Sequence, residues 1–151
     1  YNRVKLDSVL QENMSLSLRY GNIFSVIIID IDFFKKINDN FGHQVGDDVL
    51  KECSYILSQN IRNVDTLGRW GGEEFLVVCP ETLKDGAKDL AIKLNKAIKL
   101  HKFSTYPHSV TISVGVASCS VNDLNYDDII SNADKALYEA KNNGRDRVEI
   151  F

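Results

Sequence analysis

Apolar residues recur along this chain with two alternating periods. Leu6, Leu10 and Met14 fall four apart, which puts them on one face of a helix and predicts an opening helix over residues 2 to 19. Phe24-Ser25-Val26-Ile27-Ile28-Ile29 is a β-branched run, the pattern of a central strand covered on both faces, and it ends in Asp30-Ile31-Asp32. Val49, Leu50, Cys53, Ile56 and Leu57 stripe a second long helix; Ala87, Leu90, Ala91, Leu94 and Ile98 stripe a third, with Thr82 as its candidate cap. Phe75-Leu76-Val77-Val78-Cys79 and Val110-Thr111-Ile112-Ser113-Val114-Gly115-Val116 read as strands. Ile129, Ile130, Ala133, Ala136, Leu137 and Ala140 mark a last long helix that Gly144 can end, before a closing strand from Val148 to Phe151. The order is αβααββαβαβ, which predicts an α/β fold: a central mixed β-sheet flanked by helices.

A chain of 151 residues is long enough for one domain with a sizeable core and too short for two comfortable ones. With 18 Lys+Arg against 21 Asp+Glu it has no global basic field, which argues against nucleic acid as a partner and requires any polyanionic ligand to be met by local chemistry. Cys53, Cys79 and Cys119 are odd in number, far apart and set in apolar patterns, so reduced thiols in a cytoplasmic domain are expected rather than disulfides. His43, His101 and His108 lack zinc-ligand spacing. No apolar stretch approaches the ~20 residues that span a bilayer. The chain starts at Tyr1 without a Met, so it is expected to be a single domain, residues 1–151, cut from a longer protein whose membrane attachment is open.

Three constellations can carry chemistry. The first is Gly71-Gly72-Glu73-Glu74, where two glycines allow a tight reversal with φ > 0 and set adjacent carboxylates at the mouth of a hairpin. Asp30 and Asp32, two apart on a strand, share one face at its end. If the hairpin lies beside that strand end, Asp30, Glu73 and Glu74 converge as hard oxygen ligands for Mg²⁺; otherwise they are solvated acids. The second runs from Phe33-Phe34-Lys35-Lys36-Ile37-Asn38-Asp39 through Gly42-His43 to Gly46-Asp47. A turn of backbone N–H groups next to Lys35 makes a phosphate cradle. Asn38 and Asp47 are suited to a purine: a carboxylate accepts from both N1–H and the 2-amino group of guanine, and adenine offers neither donor there. The plainer alternatives are a turn at Asn38-Asp39 and a helix N-cap at Asp47. The third is Lys141 and Arg145, whose charges either complement a helix C-terminus or clamp a triphosphate.

In order and spacing, these segments together with Arg69-Trp70, Ser113-Val114-Gly115, Ala133-Asp134 and Ala140-Lys141-Asn142-Asn143-Gly144-Arg145 resemble the GGDEF family of diguanylate cyclases over nearly the whole chain. The resemblance implies a polymerase-palm-like fold related to class III nucleotide cyclases. It implies condensation of two GTP into cyclic di-GMP with release of two pyrophosphates, in a homodimer whose halves each hold one GTP. It implies metal ligation by Asp30, the backbone carbonyl of Ile31 and Glu73, with Glu74 a nearby acid and Arg69 a helper in charge stabilisation. The metal would be Mg²⁺, with Mn²⁺ an alternative, two per GTP site. Substrate contacts would come from Phe33, Phe34, Lys35, Asn38, His43, Asp47, Lys141 and Arg145. Arg62-Asn63-Val64-Asp65, ending five residues before Gly71, matches the family's inhibitory product site, although an Arg and an Asp three apart also make an ordinary surface ion pair.

Two departures stand out. Of the family's opening Asp-x-Leu-Thr-Gly-Leu-x-Asn-Arg stretch only Tyr1-Asn2-Arg3 is present, so a sensory or regulatory domain is expected upstream in the parent protein. Lys93 occupies the place of a secondary regulatory arginine; lysine keeps the charge and loses the bidentate fork. The rival function is a module that binds GTP or cyclic di-GMP and signals without turnover. The intact hairpin motif favours the enzyme.

Overall fold

The computed structural model describes residues 1–151. Its elements are α1 (Arg3–Tyr20), β1 (Phe24–Ile31), α2 (Phe34–Phe41), α3 (His43–Gln59), β2 (Thr66–Arg69), β3 (Glu74–Pro80), α4 (Lys84–Leu100), β4 (Ile112–Ser118), α5 (Tyr126–Asn142) and β5 (Arg147–Ile150), the order that the periodicity predicts. The five strands form one mixed sheet in the order β2-β3-β1-β4-β5. β1 is central and antiparallel to both neighbours, and only β4 and β5 run parallel.

Strand alternation divides the core in two. Ile27, Ile29 and Ile31 of β1 face one way, into a cluster shared with α2, α3 and α4. Phe24, Val26 and Ile28 face the other, into a cluster with Leu6, Leu10 and Met14 of α1 and Ile129, Ala133 and Leu137 of α5. All eight residues of β1 are buried, as its unbroken apolar run predicts. Asp30 has the parity of Phe24, Val26 and Ile28, so its side chain lies on the α1/α5 side of the sheet.

Local chemistry sets the helix ends. Asn2 caps α1 by accepting from Lys5 N at 3.1 Å, and Gly21 ends that helix at φ 73°. Asn125 and Asp128 form a capping box at the start of α5. Thr82 is not the cap of α4: Leu83 holds that position without a side-chain bond, because the Thr82 hydroxyl is engaged by Arg62 and the Pro80 carbonyl. Asn38 and Asp39 lie inside α2 rather than in a turn, and Asp47 lies inside α3, whose N-cap is Gly42.

The seating of α5 on β4 decides where the end of α5 arrives. A Cβ at Gly115 would lie 2.2 Å from the Ala133 carbonyl oxygen and 2.4 Å from Leu137 N, both backbone atoms of α5. Only glycine permits that approach, and it carries Lys141 over the end of β1. Gly115→Ala is expected to destabilise the protein by at least ~2 kcal/mol, the scale of overpacking a rigid interior contact, read from urea unfolding. An unchanged midpoint would mean that α5 shifts freely on the sheet.

Candidate active site

β1 and β3 pair so that Asp30 stands opposite Glu74 and Ile29 opposite Phe75. Ile31 N donates to Glu73 O at 3.3 Å and carries the ladder to the hairpin tip. Trp70 N and Gly71 N both donate to Glu74 O, at 2.9 and 3.3 Å, and close the turn between β2 and β3. The hairpin does not need φ > 0 at either glycine, contrary to the expectation from sequence: the positive-φ glycines are Gly21, Gly42 and Gly144. A Cβ at Gly71 would lie 2.5 Å from Glu74 Oε2, the end of a flexible side chain that can swing aside. Gly72 has open space around it. Arg69 turns its guanidinium onto the carbonyls of Gly71 and Gly72, so its visible work is to brace the turn.

The acids form a partly buried, negatively charged crest. Asp30 is buried, and Lys141 Nζ donates to its Oδ2 at 2.8 Å. Burial outweighs that ion pair and, with Glu73 and Asp32 nearby, pushes the Asp30 carboxyl above its ordinary value. The Glu74 carboxyl is also raised, first by burial and then by Asp30, with Asp134 and Glu73 adding repulsion and Lys141 opposing it. Burial raises Asp134 too, against the pull of Lys141 and Arg3. One ammonium thus meets several carboxylates, an imbalance that a divalent cation relieves with hard oxygen donors. No three His, Cys, Asp or Glu side chains close on a common metal position. Glu73 lies near enough to Asp30 to raise its carboxyl, so the two acids expected from sequence to hold a metal are neighbours at the hairpin tip.

Asp32 organises the neighbouring loops. Its carboxylate accepts from Thr111 Oγ1 at 2.7 Å, Ser113 Oγ at 2.6 Å and Asp146 N at 3.0 Å, so it is a tether rather than a strand-end acid meeting solvent. The bond to Asp146 draws in the segment after α5, where Gly144, Arg145 and Asp146 all have positive φ. The guanidinium carbon of Arg145 then sits 4.8 Å from the centre of the Phe33 ring, with Lys36 Nζ 4.7 Å from the same ring. Phe33 itself holds φ 56° at the start of α2, leaving the first amides of that helix beside exposed Lys35. Phe34 is buried and can contribute only its backbone. Asn38 leans on the first turns of α3, where a Cβ at Gly46 would meet its Oδ1 at 1.8 Å, and exposed Asp47 follows one residue later. His43 is exposed at the first position of α3. A concavity of about 630 Å³ runs along α5 and β5 by Lys135, Tyr138 and Phe151 and reaches Asp134 at the edge of the crest.

A profile of the family described as "Diguanylate cyclase, GGDEF domain" matches residues 1–147. The chain belongs to the GGDEF family. Diguanylate cyclase A of Treponema denticola is 44% identical over 128 residues, covering 83% of this chain and 34% of that protein. The response regulator PleD of Caulobacter vibrioides is 37% identical over 98% of this chain and 34% of its own length. Diguanylate cyclase DgcP of Pseudomonas aeruginosa is 38% identical over 99% of this chain and 22% of its own. The chain thus spans about a third or less of these curated relatives. Among solved structures, the active GGEEF domain of a diguanylate cyclase from Vibrio cholerae superposes with a TM-score of 0.95 at 37% identity, covering 99% of this chain and 96% of that one. The fold is the palm-like fold of GGDEF cyclase domains.

At the far end of β2, this GGDEF chain carries the Arg62–Asp65 pair. Asp65 is buried and accepts from Arg62 N at 2.9 Å, Nε at 3.3 Å and Nη2 at 2.8 Å, so the pair is more than a surface contact. Arg62 Nη2 also donates to Thr82 Oγ1 at 2.5 Å. Lys93 Nζ donates to Asn60 O at 3.1 Å and makes no bond to Arg62 or Asp65. Reading the sequence singled out Arg62 and Asp65 but assigned Thr82 to a cap. It also missed the tether formed by Asp32, for which Thr111 and Ser113, alternating on the strand approach, are the available signal.

A carboxyl raised by folding favours the fold in its protonated form, so that contribution is full below the unfolded value, 4.5 for Glu74, and is lost as pH rises through the folded value. Glu74→Gln is therefore expected to stabilise the metal-free protein at pH 7 by up to ~1 kcal/mol, the ceiling for partly exposed charges. The gain should vanish below about pH 4. Urea melts of both proteins across that range in EDTA test this, and destabilisation at pH 7 would refute the repulsive cluster.

Proposed function

We propose that this domain is a diguanylate cyclase that condenses two GTP into cyclic di-GMP and releases two pyrophosphates. The observation that carries the reading is the Asp30–Glu74 pairing beneath Lys141 in a member of the GGDEF family. The relatives named diguanylate cyclases support it.

Two GTP molecules react symmetrically. Each 3′-hydroxyl gives up its proton to solvent, eased by Glu73 nearby, its oxygen attacks the α-phosphorus of the other GTP to form a new O–P bond, the bond from that phosphorus to the α,β-bridging oxygen breaks, and pyrophosphate leaves with the pair. Asp30, the Ile31 carbonyl and Glu73 would hold Mg²⁺ or Mn²⁺, two ions per site. Bound metal supplies Lewis acidity toward the hydroxyl and neutralises phosphate charge. Lys141, which holds Asp30 in this structure, and Arg145 would contribute further positive charge to the triphosphate. The amides at the start of α2 and Lys35 cradle phosphate; Asn38 and Asp47 accept from guanine, with His43 beside them. One set of these groups serves one nucleotide, so the second arrives on another copy of the domain, and activity depends on a homodimer. In the parent protein a regulatory domain controls that encounter.

Mixing the protein with GTP and Mg²⁺ and separating the nucleotides tests the activity, with ATP as the base-specificity control. Glu73→Gln is expected to abolish cyclic di-GMP formation while the fold persists, because it removes a ligand charge at a half-buried hairpin tip rather than core packing. Turnover near the parent rate in that variant would remove Glu73 from the metal site.

Cyclic di-GMP is also proposed to bind at Arg62 and Asp65 and to inhibit the enzyme. The structure of DgcB from Caulobacter crescentus in complex with c-di-GMP, 26% identical, makes product binding by the family concrete. Arg62 is half-exposed and can turn its fork from Asp65 and Thr82 onto a guanine edge or a phosphate. Lys93 adds charge nearby. Calorimetry should find that Arg62→Ala loses most of the product affinity, about tenfold or more for a charged hydrogen bond. Equal affinity in both proteins would refute the site.

A further inference from the structure

Tyr1, ahead of α1, and Arg3, its first residue, grip β2 and the turn that leads from it to Glu73 and Glu74. Tyr1 N donates to Leu67 O at 2.9 Å and Arg69 N donates to Tyr1 O at 3.0 Å, so Tyr1 adds itself to the outer edge of β2. The fit is close: a Cβ at Gly68 would lie 2.7 Å from Tyr1 O. Asn2 caps the helix, and Arg3 reaches back across Trp70. Its guanidinium carbon lies 3.3 Å from the centre of the indole ring, and its Nη1 donates to Trp70 O at 3.3 Å. The Trp70 ring packs against the α1/α5 core cluster. Trp70 N, in turn, bonds Glu74 O at the neck of the hairpin.

We propose that Arg3 is a positioning residue for catalysis, acting through Trp70: by clamping the indole it fixes the neck of the hairpin, and so the placement of Glu73 and Glu74 against Asp30. The cation–π contact and the hydrogen bond to the carbonyl fall on one residue, which restrains both its side chain and its backbone. Asp7 accepts from Arg3 Nε at 3.4 Å and holds the guanidinium in the stacking plane. Whatever displaces the start of α1 is thereby transmitted to the hairpin over one side chain. The catalytic consequence rests on the diguanylate cyclase reading; the clamp does not.

Hydrogen exchange of the whole domain tests the clamp without turnover. In Arg3→Ala the amides of Trp70 and Gly71 are expected to exchange faster while those of Val77 and Ile27 in the sheet are unchanged, and unaltered protection at Trp70 and Gly71 would overturn the proposal. Arg3 is more than half exposed, so the variant loses no core packing. For the cyclase, Arg3→Ala should lower kcat by roughly three- to tenfold, the range of a cation–π contact of this class, with KM for GTP within about twofold. Arg3→Lys, which keeps charge but not the planar stack, should recover only part of the loss. Trp70→Leu should lower kcat alike, and the double variant should be no worse than the poorer single one. Full recovery by lysine, additive losses, or a change confined to KM would overturn the positioning role. If the parent protein makes no cyclic di-GMP, the cyclase reading falls, and hydrogen exchange still decides the clamp.

Discussion

The register of β1 against β3 is the constraint on which the rest depends. Pairing Asp30 with Glu74 places two carboxylates on the same face of the sheet at its end, where the α1/α5 layer thins out. A slip of one residue in β1 would turn Asp30 toward α3 and α4, away from Glu74, and take Ile27, Ile29 and Ile31 out of the core they fill. The apolar burial of β1, complete on both faces, therefore holds a charge arrangement that is unfavourable by itself. Adjacent acids raised by burial and mutual repulsion persist because a large apolar core fixes the strands beneath them.

Cations come to this crest from sequence-distant segments by two different devices. The absence of a side chain at Gly115 lets α5 press onto β4, and Lys141 arrives over Asp30. The Asp32 carboxylate, fully engaged by two hydroxyls and one amide, pulls in the turn that carries Arg145. Both devices fix backbone and leave the charged side chains free to exchange partners. That suits a proposed site in which phosphate and metal compete for the same groups.

β2 links two polar centres. Four residues long, roughly 13 Å at strand rise, it runs from the Arg62–Asp65 pair to Arg69 and the hairpin. Its inner edge is held by β3 and its outer edge by Tyr1. A strand held on both edges moves as a unit, so a ligand at one end and a change at the start of α1 act on the same element.

Much of this was legible in the residues themselves. Helix stripes and the buried isoleucine run are local patterns with local physical causes, and they gave the element order, the central strand and the two-sided core, with boundaries within a few residues. The hairpin acids, the phosphate-loop candidates and the Arg62–Asp65 pair were recognisable because their spacing is short. Local pattern failed where the cause was a contact across the fold. Gly71 reads as a turn glycine needing positive φ, and only the folded hairpin shows that it takes none. Thr82 reads as a cap until Arg62, twenty residues earlier, takes its hydroxyl. Asp32 bound by Thr111 and Ser113, Lys141 on Asp30 and Arg3 on Trp70 join residues more than sixty positions apart. No local periodicity encodes such pairs, because each exists only after the sheet register and the seating of the helices have brought its partners together.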